Sequence, residues 1–152
     1  MLKGIPAIIS PQLLAVLAEM GHGDELVLAD SNFPAFSVCR CGPTYISASG
    51  LGIPQLLKAI LQLLPLDIYV ESPAAVMDLV EDDKKRKLQT PVWDTYLELL
   101  KDAGCAKPLE KVERFAFYER AKKAYAVIAT GETSLYGNLI LKKGVICPDD
   151  QT

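Results

Sequence analysis

The chain has a single histidine and a single tryptophan among its 152 residues. Histidine is the one side chain whose ordinary pKa lies near neutrality, so imidazole-type proton transfer has one position open to it, His22. There is no excess of positive charge. Sixteen Lys and Arg against 19 Asp and Glu leave a formal charge of −3, which argues against a nucleic-acid partner, since such proteins usually present a basic face. No apolar run reaches the ~18 residues of a membrane span. The amino-terminal stretch MLKGIPAIISPQLLAVLAEMG is apolar but has no basic leading region and no small-residue cleavage site. It does not read as a signal peptide, and a cytoplasmic protein is expected. A C-x-x-C pair is also missing. The four cysteines stand at 39, 41, 105 and 147, the first two as a C-x-C, which predicts reduced thiols and no metal site. Gly50-Leu51-Gly52 completes neither common phosphate-loop pattern and reads as a turn entering a helix.

What is present is enough apolar sequence for a proper core. Half the residues are apolar, and the length fits one domain over residues 1–152. Ser10-Pro11 reads as a cap and first residue of a helix in which Leu13, Leu14, Leu17 and Met20 recur at helical spacing. Gly21 is expected to close it at a position of positive φ. Glu25 to Ala29 reads as a short buried strand, ended by Asp30 and followed by the loop Ser31 to Pro34. Thr44 to Ala48 suggests another strand, and Pro54 opens a helix that Pro65 ends. Leu66 to Tyr69 is a strand or loop, and Ala74 to Val80 a strand or short helix.

The run EDDKKRKLQ (81–89) mixes both signs and reads as a solvated connection. Thr90-Pro91 repeats the cap-plus-proline start, opening a helix with Trp93, Tyr96, Leu97 and Leu100 on one face, which makes Trp93 a core residue rather than a binding platform. Glu113 to Lys123 looks helical, and on a helix Arg114 and Tyr118 share a face. Ala124 to Thr130 fits a buried strand. Tyr136-Gly137-Asn138 leads into the last strand, Leu139 to Leu141. Helices and short apolar strands alternate without repeat or linker, the pattern of an α/β domain.

The stretch Met20 to Asp30, MGHGDELVLAD, carries the sharpest chemistry. His22 falls in the link between helix and strand, and Asp30 at the strand's far end, where α/β sheets hold ligands. In an extended strand the two are at opposite ends. They converge only if the strand is shorter or the loops fold back.

These residues also carry a resemblance. ISPQLLAVLAEMGHGDELVLAD, NFPA, ERFAFYERAKKA and TGETSLYGNLILKKG, in this order and over nearly the whole chain, resemble the RbsD/FucU family of sugar mutarotases. The ribose-type branch has a histidine where this chain has Arg114, so the resemblance is to the fucose branch. It implies a central mixed sheet flanked by helices, assembly into homo-oligomers, and interconversion of the α and β anomers of L-fucopyranose without metal or organic cofactor. A ribose pyranase, a broader mutarotase or a non-catalytic sugar binder are the alternatives.

By the same resemblance, His22 is the proton donor, Tyr118 a second acid/base, and Asp30, Arg114, Tyr136 and Asn138 bind sugar. Asp67 and Met77 belong to a less sharply matched block and carry the same binding role. Residue chemistry agrees with these roles. Anomer exchange needs one group to protonate the ring oxygen and another to take the anomeric proton, and each shuttle is typically worth ~10²–10⁴-fold. A carboxylate such as Asp30 accepts two hydroxyls, the Asn138 amide both donates and accepts, and Arg114 donates in a fixed fork. Phe33, Tyr69 and Met77 are candidate apolar walls against the 6-deoxy methyl group.

Overall fold

The computed structural model describes residues 1–150. Its centre is β1 (Glu25–Ala29), whose side chains from Leu26 to Ala29 have no solvent exposure. A strand covered on both faces reads as an unbroken apolar run rather than an alternating one, which is how LVLA reads. Leu26 and Leu28 point into one core, and Val27 and Ala29 into a second on the other face. The sheet is therefore the middle of three layers.

The remaining elements follow in chain order: α1 (Pro11–Glu19), which precedes β1, then α2 (Ala35–Cys39), β2 (Thr44–Ala48), α3 (Ile53–Leu61) and β3 (Ala74–Met77). After these come α4 (Glu81–Lys85), α5 (Pro91–Asp102), β4 (Glu110–Val112), α6 (Arg114–Lys122), β5 (Ala126–Thr130) and β6 (Leu139–Lys142). The strands lie in the order β2-β5-β1-β6-β3-β4. β1, β2 and β5 run parallel, as do β3 and β4, while β6 pairs antiparallel with both β1 and β3. β6 is thus the one reversed strand of this mixed sheet. α1, α3 and α5 cover the first core, with Leu13, Leu57, Ile60, Tyr96 and Leu100 buried, and α2 and α6 cover the second with Val38 and Phe117.

Local chemistry explains the ends of α1. The Ser10 hydroxyl accepts the Leu13 N–H at 3.1 Å, and Pro11 takes the first helical position. The other end differs from expectation. The helix stops at Met20 in extended backbone, and the positive φ falls at Gly23 (86°), not at Gly21. The Asp24 carboxylate accepts the Gly21 N–H at 2.7 Å and closes a tight turn there, so the left-handed residue is needed two positions later. The turn is tied to the sheet where the Gly23 N–H donates to the Lys143 carbonyl at 2.8 Å.

Of these α-helices and strands, three lie outside the sequence reading. α2 follows the expected loop, β4 adds an edge strand, and α4 forms one helical turn within the charge run that reads as a solvated connection. Residues 66–69 form a loop with a single bridge, Leu66 to Lys143, and Ala74–Met77 is the strand. On α5, Tyr96 and Leu100 are buried and Trp93 is half-buried. Leu97 is exposed because the stripe is wider than the surface it covers.

Candidate active site

Parallel strands bring their carboxyl ends to one edge of a sheet, and loops leaving that edge enclose a crevice. Here the edge carries Asp30 after β1, Met77 at the end of β3, and Arg114 and Tyr118 on α6. Tyr136 and Asn138 join them because β6 is reversed, so its start lies beside the end of β1. These six residues line one cavity of about 410 Å³ together with Asn32, Phe33, Val80, Asp83 and Leu135. Six of the eight site residues named from the sequence therefore converge.

Asp30 is the most enclosed charged group there, 6% exposed. Burial pushes its carboxyl above the usual carboxylate range, against backbone N–H groups of Asn32, Gly137 and Phe33 that favour the ionised form. The charge of Glu132 adds to the upward push. The Asn32 N–H donates to Asp30 Oδ1 at 3.0 Å. The Asp30 N–H in turn donates to Asn138 Oδ1 at 2.7 Å. One lone pair of the Asn138 oxygen is thus taken by the backbone, and toward a ligand the amide offers its N–H groups and the remaining lone pair.

Arg114 and Tyr118 face the cavity from the first two turns of α6, whose N-cap Glu113 accepts the Ala116 N–H at 2.9 Å. Arg114 Nε donates to Tyr118 Oη at 3.3 Å, and this bond is the main cause raising the guanidinium's already high pKa. Because Tyr118 Oη accepts this bond, its own proton is free to be donated elsewhere. The guanidinium also lies 5.7 Å from the centre of the Tyr118 ring, an attractive arrangement for a cation.

Tyr136 is the unusual residue. Its φ is +57°, a conformation costing a non-glycine residue about 1–3 kcal/mol unless its surroundings enforce it. They do so at both ends. Trp93 Nε1 donates to the Tyr136 carbonyl at 2.9 Å, and the buried Tyr96 hydroxyl donates to the Gly137 carbonyl at 2.6 Å. Gly137 is required by packing, since a Cβ there would lie 2.9 Å from the Ser134 carbonyl oxygen. The Tyr136 phenol accepts from the Val80 N–H at 3.2 Å and donates to Asp83 Oδ2 at 2.5 Å. Asp83 had no distinguishing mark in the mixed-charge run, and only the turn of α4 aims it inward.

His22 and Asp67 lie elsewhere, at the opposite edge of the sheet. The five residues of β1 separate them from Asp30, a length of about 17 Å. His22 is half exposed and Asp67 is 5% exposed, with His22 Nε2 donating to Asp67 Oδ1 at 3.1 Å. Burial opposes ionisation of Asp67, but the Tyr69 N–H, the His22 hydrogen bond and the charges of His22 and Lys142 prevail and hold its pKa below the usual range. An ionised Asp67 selects the imidazole tautomer with the proton on Nε2, which leaves Nδ1 unprotonated.

Asp67 reaches His22 through a close approach of backbones. The Asp67 N–H donates to the Lys142 carbonyl at 3.0 Å, and the Gly144 N–H to the Pro65 carbonyl at 2.8 Å. A Cβ at Gly144 would lie 2.4 Å from the Leu66 carbonyl oxygen, so only glycine fits. Of the three expected walls, Phe33 and Met77 line the cavity, but Tyr69 does not. It packs against His22, with ring centres 5.7 Å apart.

Residues 3–146 match the model of the RbsD / FucU transport protein family. The chain is 70% identical to the fucose mutarotase of Homo sapiens over 145 residues, covering 95% of this chain and 94% of that one. It is 67% identical to the fucose mutarotase of Danio rerio over 150 residues, covering 99% and 97%. Among solved structures, the fucose mutarotase of Streptococcus pneumoniae in complex with L-fucose superposes with a TM-score of 0.88 at 50% identity, covering 96% of this chain and all of that one.

Proposed function

The chain belongs to the RbsD / FucU transport protein family, and from that membership we infer that it is a sugar isomerase that interconverts the α and β anomers of L-fucose. The observation that carries the substrate is the likeness over nearly the full length to enzymes named fucose mutarotase, one of them solved with L-fucose bound. The carboxyl-edge cavity is the proposed sugar pocket. The buried Asp30 carboxylate accepts hydroxyls, the Asn138 amide and Arg114 donate, and Met77 and Phe33 supply apolar wall.

Ring opening requires a proton at the ring oxygen while the anomeric hydroxyl gives one up. The sugar then turns about C1–C2 and closes on the other face. Tyr118, with its hydroxyl proton uncommitted and a guanidinium beside it to offset developing negative charge, serves as one shuttle. His22, aligned by Asp67, is the other. A single monosaccharide does not span the length of β1, so the two shuttles of one chain do not reach the same sugar.

The site is therefore shared. His22 and Asp67 of one copy close the pocket of a second copy in a homo-oligomer. Large apolar residues stand exposed beside each half: Ile68 (65%) and Tyr69 (70%) near His22, and Phe115 (65%) and Leu135 (55%) at the cavity's rim. Exposed apolar groups of this size mark association surfaces when they cluster. Among the described residues no helix is long and apolar enough to cross a membrane, and a cytoplasmic enzyme acting on free sugar is part of the proposal.

Two-dimensional exchange NMR on the anomeric protons tests the activity. Added protein is expected to accelerate exchange of L-fucose, and D-ribose and D-galactose measured alongside set the range. An L-fucose exchange rate unchanged by protein overturns the reading.

A further inference from the structure

We propose that Asp83 is a positioning residue for the sugar pocket: by holding the Tyr136 hydroxyl proton, it makes Tyr136 a hydrogen-bond acceptor toward the substrate. The proposal rests on the reading of the 410 Å³ cavity as the sugar site. A phenol has one proton and two lone pairs. In Tyr136 the proton is directed to Asp83 Oδ2 at 2.5 Å, and one lone pair takes the Val80 N–H at 3.2 Å. What remains to face the cavity is the second lone pair, which can only accept. Asn138, at the end of the same triplet, brings its amide N–H groups as donors, one lone pair of its oxygen being taken by the Asp30 N–H. The pocket thus presents an acceptor of fixed polarity two residues from an amide donor, and sugar hydroxyls must arrange their own protons to suit.

Asp83 fits this role for two reasons. Tyr136 is its leading hydrogen-bond partner and, with Arg86, holds the carboxyl below the usual carboxylate range, so it stays an acceptor. Its other oxygen, Oδ1, is occupied by Arg86 Nε at 3.1 Å and by Arg86 Nη2. With Oδ1 so engaged, Oδ2 is the oxygen left to point inward. The Tyr136 backbone cannot drift to another partner, since its left-handed φ is enforced by Trp93 and Tyr96 through the carbonyls of Tyr136 and Gly137. Polarity is therefore set by one bond from α4.

The test is a double-mutant cycle read by anomer-exchange rate against L-fucose concentration. Asp83→Ala is expected to raise KM about three- to tenfold with kcat within about twofold, the loss of one oriented hydrogen bond. Tyr136→Phe should raise KM similarly, and the double variant should be no worse than Tyr136→Phe, because Asp83 acts only through that hydroxyl. Asp83→Asn has one acceptor oxygen for two donors, the Arg86 fork and the Tyr136 hydroxyl, so it should raise KM, by no more than Asp83→Ala, and it covers the case in which Asp83→Ala fails to fold.

Effects of Asp83→Ala and Tyr136→Phe that multiply in the double variant would overturn the proposal. So would an unchanged KM in Asp83→Ala or, should that variant fail to fold, in Asp83→Asn. Acceleration by wild type with no effect of Tyr136→Phe would also overturn it while leaving the function standing. No acceleration by wild type would sink both.

Discussion

Mixing two inactive variants measures whether the site is divided between copies. His22→Ala removes an exposed imidazole at one edge of the sheet, and Arg114→Ala an exposed guanidinium at the other, so neither should unfold the chain. Each should be nearly inactive alone, since a lost proton shuttle or its partner typically costs at least about 100-fold. The five residues of β1 keep His22 about 17 Å from Asp30 within one chain. A shared site then takes its histidine half from one copy and its arginine half from another. In an equal mixture allowed to exchange subunits, each half is intact half the time, so about one quarter of the sites have both, for a closed dimer or a larger ring alike. The mixture should therefore show about one quarter of wild-type anomer exchange per chain. Exchange NMR on L-fucose, before and after dissociation and reassembly, reads this directly. Recovery no greater than the mean of the two separate variants refutes the shared site. Full activity of His22→Ala alone removes the histidine from the mechanism.

Asp30 has its pKa raised, so on acidification it takes up a proton before an ordinary carboxyl would. L-fucose affinity should fall on the acid side at a pH above ordinary carboxylate titration, and Asp30→Asn should abolish that limb of the binding profile measured by calorimetry. Asp67 is the opposite case. Its folded pKa is depressed, so it contributes stability that is present above its unfolded pKa of about 4 and lost as pH falls through the lower folded value. The stability gap between wild type and Asp67→Asn in urea unfolding should accordingly shrink below about pH 4; a gap that widens there contradicts the sign. Tyr96→Phe leaves the buried Gly137 carbonyl without its donor and should cost about 1–3 kcal/mol in chemical denaturation; a neutral result would mean the turn is held by other contacts. Arg120→Met strips partners from Glu25 and Glu110 at a half-buried site, and about 1–3 kcal/mol of lost stability is expected after allowance for solvent screening.

How far the chain was legible depended on whether local rules governed the position. Ser10-Pro11, the apolar run of β1 and the i, i+4 pair Arg114–Tyr118 are decided within a few residues, and all three stand as the sequence implies. The positive φ at Gly23 instead of Gly21 turned on a side-chain bond from Asp24 that competes with the helix cap. The one-turn α4 was obscured because mixed charge describes its exposed face, while Asp83 alone turns inward to meet a tyrosine 53 positions later. The separation of His22 from the carboxyl-edge residues was written in the strand's length, and the resemblance of ordered blocks said nothing about distance. Asp67 was placed with the sugar binders by position in a block. Its contact with His22 depends on Gly144 and the backbone of residues 65–67, a pairing no local pattern announces.

The two halves owe their fixed relation to β6. Its first end adjoins Asn138, which fixes the Asp30 backbone, and its last end carries Lys142 and Lys143, which bind the backbone of Asp67 and of Gly23 beside His22. Both β1 and β3 clamp this strand along its length, and Leu139 to Leu141 are fully buried. A short buried strand paired on both sides changes length very little, so histidine half and sugar pocket are held at a constant spacing and orientation. That rigidity is what a divided site needs. If the halves moved independently, each new interface would have to order them again and lose affinity to that cost. In the proposed shared site, docking the exposed His22 edge of one copy onto the Arg114 edge of another would bring an imidazole with its tautomer already chosen to a pocket whose Tyr136 acceptor is already oriented. Under that proposal catalysis depends on association rather than on rearrangement, and dilution below the oligomer's dissociation constant should remove anomer exchange while leaving each chain folded.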